Sequence, residues 1–347
     1  MLSPRTGTIL KSIVGQYITK AVPVPSQSIL NDSQLGVSSA TIRNEMARLE
    51  RDGYIFRPHP SAGSVPSDRG YHYYVESLGG VALPLAEQRL IDHLFHQVER
   101  EQEEWLRLAA ALIARLAQNM ALVTMPKCPD CCFKHLELVA LKESLVLIVL
   151  VLHGARVKQQ LITFEPVISQ SELMAMASKL NEAYSGLTGS QIEAKELALS
   201  PVEQQLTDCL VKIMQAEDEQ DYEEPYLDGL HFTLNQPEFA HTNRPLDLME
   251  LVEQRSLLRL ILPEELDVHQ VQVIIGKENR TEAVQNCSVV IRRYGLPQEV
   301  TGIIGVIGPT RMPYAHTISA VSYLASVLSR LVAELYGGEA ADIVDED

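Results

Sequence analysis

Residues 35–56 read LGVSSATIRNEMARLERDGYIF. Ser38 can accept a hydrogen bond at a helix start and Asp52-Gly53 is a stop, so the pattern predicts a helix over 38–51. At about 100° per residue, Ile42, Met46 and Leu49 fall on one narrow apolar stripe, with Val37 placed to staple onto Ile42. Ala40, Arg43, Asn44, Ala47, Arg48 and Arg51 fan across the opposite face. Such a face holds what major-groove reading needs: Asn pairs bidentately with adenine, Arg with guanine, and Ala leaves room for a thymine methyl. Ser39 and Thr41, in the first turn, can take phosphates beside free backbone N–H groups.

A surface helix with solvated charges is the plainer reading of that stretch taken alone, and its flanks decide against it. Upstream, Ile9, Leu10, Ile13, Val14, Tyr17 and Ile18 recur at helical spacing, and Pro23 and Pro25 force an extended link. Ser26 then caps a short second helix to about Asn31. Downstream, Tyr54–Phe56 reads as a strand, PHPSAGSVPSD (58–68) as loop, and the chain leaves through Gly70–Val75. Helix, helix, helix, then strand–loop–strand is the plan of a winged helix-turn-helix, with Arg57, His59 and Arg69 of the loop beside the DNA backbone.

The 347-residue chain carries a net charge of −16, which argues against an anionic partner only if the charge is spread evenly. It is not. Residues 1–78 hold eight basic and six acidic residues, a net of +2, and the remainder a net of −18. Screening confines the reach of distant charge to about 8 Å at physiological salt, so the acidic body does not veto DNA contact by the head.

Beyond Gly79-Gly80 and Pro84, a long helix is expected over 86–119, then strands at 135–141, 145–152 and 157–164. Helices follow at 169–185, 201–216 and 246–262, strands at 271–275, 287–294 and 302–307, and a long amphipathic helix at 317–336. The fold class is therefore α+β and multidomain. A sheet interrupted by a helical stretch suggests one domain inserted into another, with segments 1–78, 85–166 plus 241–337, 167–240, and an acidic tail at 338–347. The acidic run EDEQDYEE (217–224) reads as a solvated loop.

Other chemistry is thin. CPDCC (128–132) offers one CxxC, at most half of a tetrahedral zinc site, and Cys209 and Cys287 are isolated. Cys128, Cys131 and Cys132 are thus expected to be loop residues, with no metal and no cofactor. GVIGPTRM (305–312) lacks the GK[ST] ending of a phosphate loop and is expected to be a tight turn with Arg311 in an ion pair. Histidines occur in no catalytic context, so no enzyme is expected. Five cysteines do not suggest a disulfide framework, and neither an export signal nor a membrane-length apolar run is read, so a cytoplasmic protein is expected.

The head, through VPVPSQSIL (22–30), LGVSSATIRNEMARLERDGYI (35–55) and PHPSAGSVPSDRGYHYYV (58–75), closely resembles the heat-inducible transcription repressor HrcA family. So do LNQPEF (234–239), IGKEN (275–279), CSVVIRRYG (287–295) and GVIGPTRMPYAHTISAVSYLASVLS (305–329) near the other end. The resemblance implies a repressor of chaperone genes with a winged helix, a GAF-like domain and a dimerising domain inserted in it. It implies a homodimer on an inverted-repeat operator of the CIRCE type, a GroEL-type chaperonin as partner, and release on heating. In the wing, Pro60 stands where relatives usually carry Thr, and Ser64 where they carry Arg. The latter change is expected to remove one phosphate or minor-groove contact, with Arg57 compensating. A ligand- or redox-responsive regulator, sensing through the GAF-like domain or the CPDCC loop, is the alternative.

Overall fold

The computed structural model describes residues 2–32, 38–59, 62–98, 101–127, 131–142, 144–153, 157–165, 167–219, 225–239, 249–250, 257–262, 266, 270–296 and 300–336. Three helices open the chain: α1 (Pro4–Lys20), α2 (Ser26–Asp32) and α3 (Ser39–Arg51). A two-stranded ribbon, β1 (Ile55–Phe56) and β2 (Val65–Pro66), and helix α4 (Asp68–Glu76) complete the head. Its core is the meeting of two stripes: Ile9, Leu10, Ile13 and Val14 of α1 against Ile42, Met46 and Leu49 of α3, all essentially excluded from water. Residues 33–37, and with them the Val37 staple, lie outside the described residues.

Next come α5 (Leu85–Gln97) and α6 (Gln102–Ala117), where one long helix was expected; Val98 is extended (ψ 139°), which ends α5. Strand β3 (Met120–Val123) follows directly, then β4 (Phe133–Ala140), β5 (Leu145–Leu152) and β6 (Val157–Thr163). Helices α7 (Gln170–Tyr184), α8 (Gly189–Glu193) and α9 (Pro201–Glu219) lead to β7 (Tyr226–Asp228) and α10 (Leu230–Leu234). The chain closes through α11 (Leu257–Ile261), β8 (Gln272–Ile275), β9 (Cys287–Leu296), β10 (Val300–Pro309) and α12 (Tyr314–Tyr336).

The strands of the body divide into two antiparallel sheets with separate cores. The larger sheet has the order β7-β3-β10-β9-β8. One face packs Ala121, Val123, Val290, Ile304 and Val306 against α6 and α12, and the other packs Met120, Leu122, Val289, Ile303 and Ile307 against Leu257 and Ile261. Covered on both faces, β10 is buried at every position, as a sandwiched strand must be. β4, β5 and β6 pair only with one another among the described residues. They bury Phe133, Leu136, Ile148 and Leu150 against Leu173, Leu180, Leu206 and Leu210 of α7 and α9. Along the chain, β4–β6 thus lie outside the larger sheet, and β7 returns to it.

The 23 residues of α12 have the length and apolarity of a membrane span, but Val321, Leu324, Ala325 and Leu328 are the core stripe that covers the sheet. The acidic run is not simply solvated. Glu217 is buried, 2.5 Å from Lys158 Nζ, and Asp218 Oδ1 accepts the Cys131 N–H at 2.7 Å, while 220–224 lie outside the described residues. The 338–347 tail also lies outside them.

Candidate nucleic-acid interface

Ser38 starts α3: in an extended conformation, its Oγ accepts the Thr41 N–H at 3.2 Å. This satisfies one of the amide groups that a helix start leaves without partners. With Ile42, Met46 and Leu49 held against α1, the opposite face of the helix is turned to solvent. Ser38, Ala40, Arg43, Asn44, Ala47, Arg48 and Arg51 are exposed, and Ser39 and Thr41 are half-buried. One exposed face therefore carries Ala40, Arg43, Asn44, Ala47 and Arg51, and among the described residues no side-chain partner is recorded for Arg43, Asn44 or Arg51. Arg48 Nε lies 3.7 Å from Asp52 one turn on, a weak surface pair.

Two of the other basic candidates, Arg57 and Arg69, are engaged within the head. Arg69 donates from Nη1 to the Asp52 carbonyl at 2.8 Å and lies 4.4 Å above the Tyr54 ring, closing the C-terminus of α3. Ser67 Oγ, donating to the Gly53 carbonyl at 2.6 Å, ties down the same corner, where Gly53 adopts φ +78°. Arg57 is 3.4 Å from Glu50, on the last turns of α3, and His59 is exposed.

Ser64 is fully buried, and its backbone exchanges two 2.8 Å hydrogen bonds with Val24 in the extended link after α1. The Ser64 side chain therefore points into the head rather than to solvent. Gly63 allows the close approach: a Cβ would stand 2.5 Å from the Val24 carbonyl carbon. Pro60 lies outside the described residues.

Sequence reasoning overlooked Glu45. It shares the buried stripe of α3, where Thr6 Oγ1 donates to Oε2 at 2.9 Å and Arg5 Nη2 to Oε1 at 3.0 Å. The Thr6 hydroxyl, then the Arg5 guanidinium, hold its carboxyl below the usual range against the opposing effect of burial. Position 45 falls with 42, 46 and 49 on the wheel, so spacing could have found it; an acid on an apolar stripe signals a built partner.

Of the cysteines, Cys131 is buried, Cys132 is half-buried and its backbone forms an isolated antiparallel bridge with Thr188, and Cys128 lies outside the described residues. Among the described residues no group of three metal-ligating side chains converges. Arg311 makes the expected ion pair, its Nε 2.6 Å from Glu238 Oε1.

This exposed polar and basic helix face belongs to a chain whose relatives are transcription repressors. The model for the HrcA protein C terminal domain matches residues 103–318. The heat-inducible transcription repressor HrcA of Dehalococcoides mccartyi is 55% identical over 97% of this chain and 98% of its own length. That of Herpetosiphon aurantiacus is 40% identical over 97% of each chain. A crystal structure of a hypothetical protein, 24% identical, superposes over 96% of this chain and 98% of its own with a TM-score of 0.59, which speaks for the fold alone. The chain belongs to the heat-inducible transcription repressor HrcA family, a family of transcription repressors and not of enzymes.

Proposed function

We propose that the chain is a cytoplasmic, sequence-specific DNA-binding repressor of heat-shock (chaperone) operons. It binds a CIRCE-type inverted repeat as a homodimer and is released on heat stress. The head is read as a winged helix-turn-helix, with α3 in the major groove and the β1–β2 ribbon along the backbone. The observation that carries this reading is the exposed face of α3, where Arg43, Asn44 and Arg51 stand beside Ala40 and Ala47 with the apolar stripe behind them fully buried. The larger sheet with α6 and α12 is read as the GAF-like domain.

Two heads on an inverted repeat require a self-complementary surface. The three-stranded sheet offers one. Its inner face is covered by α7 and α9, while Val139, Leu147 and Leu161 align across the strands on the outer face, beside the Val151–Val157 pair. Val139, Val157 and Leu161, on the two edge strands, are 40%, 53% and 56% exposed, an apolar patch of the kind that marks an interaction surface. A second copy covering this face is the reading adopted, with a GroEL-type chaperonin as a further partner.

Footprinting on promoters of chaperonin operons, at growth temperature and after heating, tests the proposal. Protection of an inverted repeat that is lost on heating is expected; equal protection of unrelated DNA would contradict it.

A further inference from the structure

Arg311, in the turn between β10 and α12, ties the body to the head. Its side chain is only 12% exposed. The guanidinium donates from Nη1 to the Ile18 carbonyl at 2.8 Å, from Nε to Glu238 Oε1 at 2.6 Å and from Nη2 to Gln236 Oε1 at 2.9 Å. A planar fork with fixed donors suits a point where three segments must be held at one angle. Ile18 lies in the last turn of α1, where helix carbonyls have no intrahelical partner and the dipole is negative. An arginine 293 positions away in sequence thus caps the first helix of the head.

Three further contacts hold the same junction. Asp68, in the first turn of α4, accepts the Lys277 N–H at 3.1 Å. Gly276 adopts φ +57°, and a Cβ there would stand 2.4 Å from Asp68 Oδ2, so the approach requires glycine. His72 Nε2 lies 2.8 Å from Glu278, and the Tyr71 ring packs 5.8 Å from that of Tyr314. The opposite end of α1 is fastened to α3 through Arg5, Thr6 and Glu45. With 17 residues, α1 is a strut of about 25 Å, with the body at one end and α3 at the other.

We propose that Arg311 is a positioning residue for DNA binding: by capping α1 it fixes the orientation of α3 relative to the body. The two heads of a dimer then hold one half-site spacing. This inference rests on the reading of the chain as a dimeric, operator-binding repressor.

The test measures affinity for a series of inverted repeats whose central spacing is lengthened or shortened by a few base pairs. The wild-type protein should prefer one spacing. Arg311→Ala should bind that operator roughly tenfold more weakly, about 1.4 kcal/mol, and discriminate less among spacings, while a single half-site is bound as by wild type. Arg311→Lys, which keeps the charge and loses the fork, replaces the alanine variant if that does not fold. Asp68→Ala should shift spacing preference in the same direction. In the free protein, the exposed 79–82 link should be cleaved faster by a protease in these variants. Wild-type protein that binds no inverted repeat would overturn the functional reading. Wild-type binding with spacing discrimination unchanged in both variants, or tighter binding of the native operator by Arg311→Ala, would overturn this inference alone.

Discussion

Arg5 on α1 and Glu45 on α3 meet with 3.0 Å between Nη2 and Oε1, and Thr6 completes the same carboxylate. A charge on the buried stripe of α3 is tolerable only because both oxygens are occupied. Glu45→Gln keeps the shape and loses the charge, and is expected to cost roughly 1–3 kcal/mol of stability near pH 7. Because the folded-state carboxyl is held below its ordinary value, its contribution is full above the unfolded carboxylate range and is lost as pH falls through the lowered folded value. The melting difference between wild type and variant should therefore shrink in acid. A difference that stays constant with pH would contradict this account of the pair.

Ser38 accepts the Thr41 N–H and is the N-cap of α3. Ser38→Ala should destabilise the head by roughly 1 kcal/mol, visible as a lower melting temperature, whereas Ser38→Asp should restore most of it. Equal melting of all three proteins would mean that the cap carries no weight.

The outer face of the three-stranded sheet sets up a test of assembly. Leu161 is 56% exposed and opposes Leu147. Leu161→Asp should leave the secondary structure intact and give monomers in sedimentation at concentrations where wild type is dimeric. A dimer that survives the charge would place the self-association elsewhere.

The legible parts of the fold were those with local signals. The α3 helix is written in Ser38, the 42–46–49 spacing and Asp52-Gly53, and β5 in an eight-residue aliphatic run, Leu145–Leu152. What escaped depends on partners distant in sequence. β3 is four buried residues attached to the end of α6, too short for a periodicity, and β7 has three residues that gain strand geometry only by pairing with β3. Nor does any pattern in 133–163 say that these strands avoid the larger sheet; that follows from α7 and α9 covering them. In the site, the exposed face of α3 was readable from angles alone. The inward turn of Ser64 and the hold of Arg69 on Asp52 and Tyr54 are products of the ribbon corner, and no local spacing encodes them.

The most direct test of the central claim, that α3 reads DNA sequence, is a gel-shift series with Arg43→Ala, Asn44→Ala and wild type on the inverted-repeat operator and on a scrambled duplex. Both side chains are exposed and distant from the head core, so melting temperatures should match wild type. Each variant should lose roughly 1–3 kcal/mol of operator affinity, about five- to 150-fold, with little change on the scrambled duplex. Operator affinity unchanged in both variants would contradict the claim.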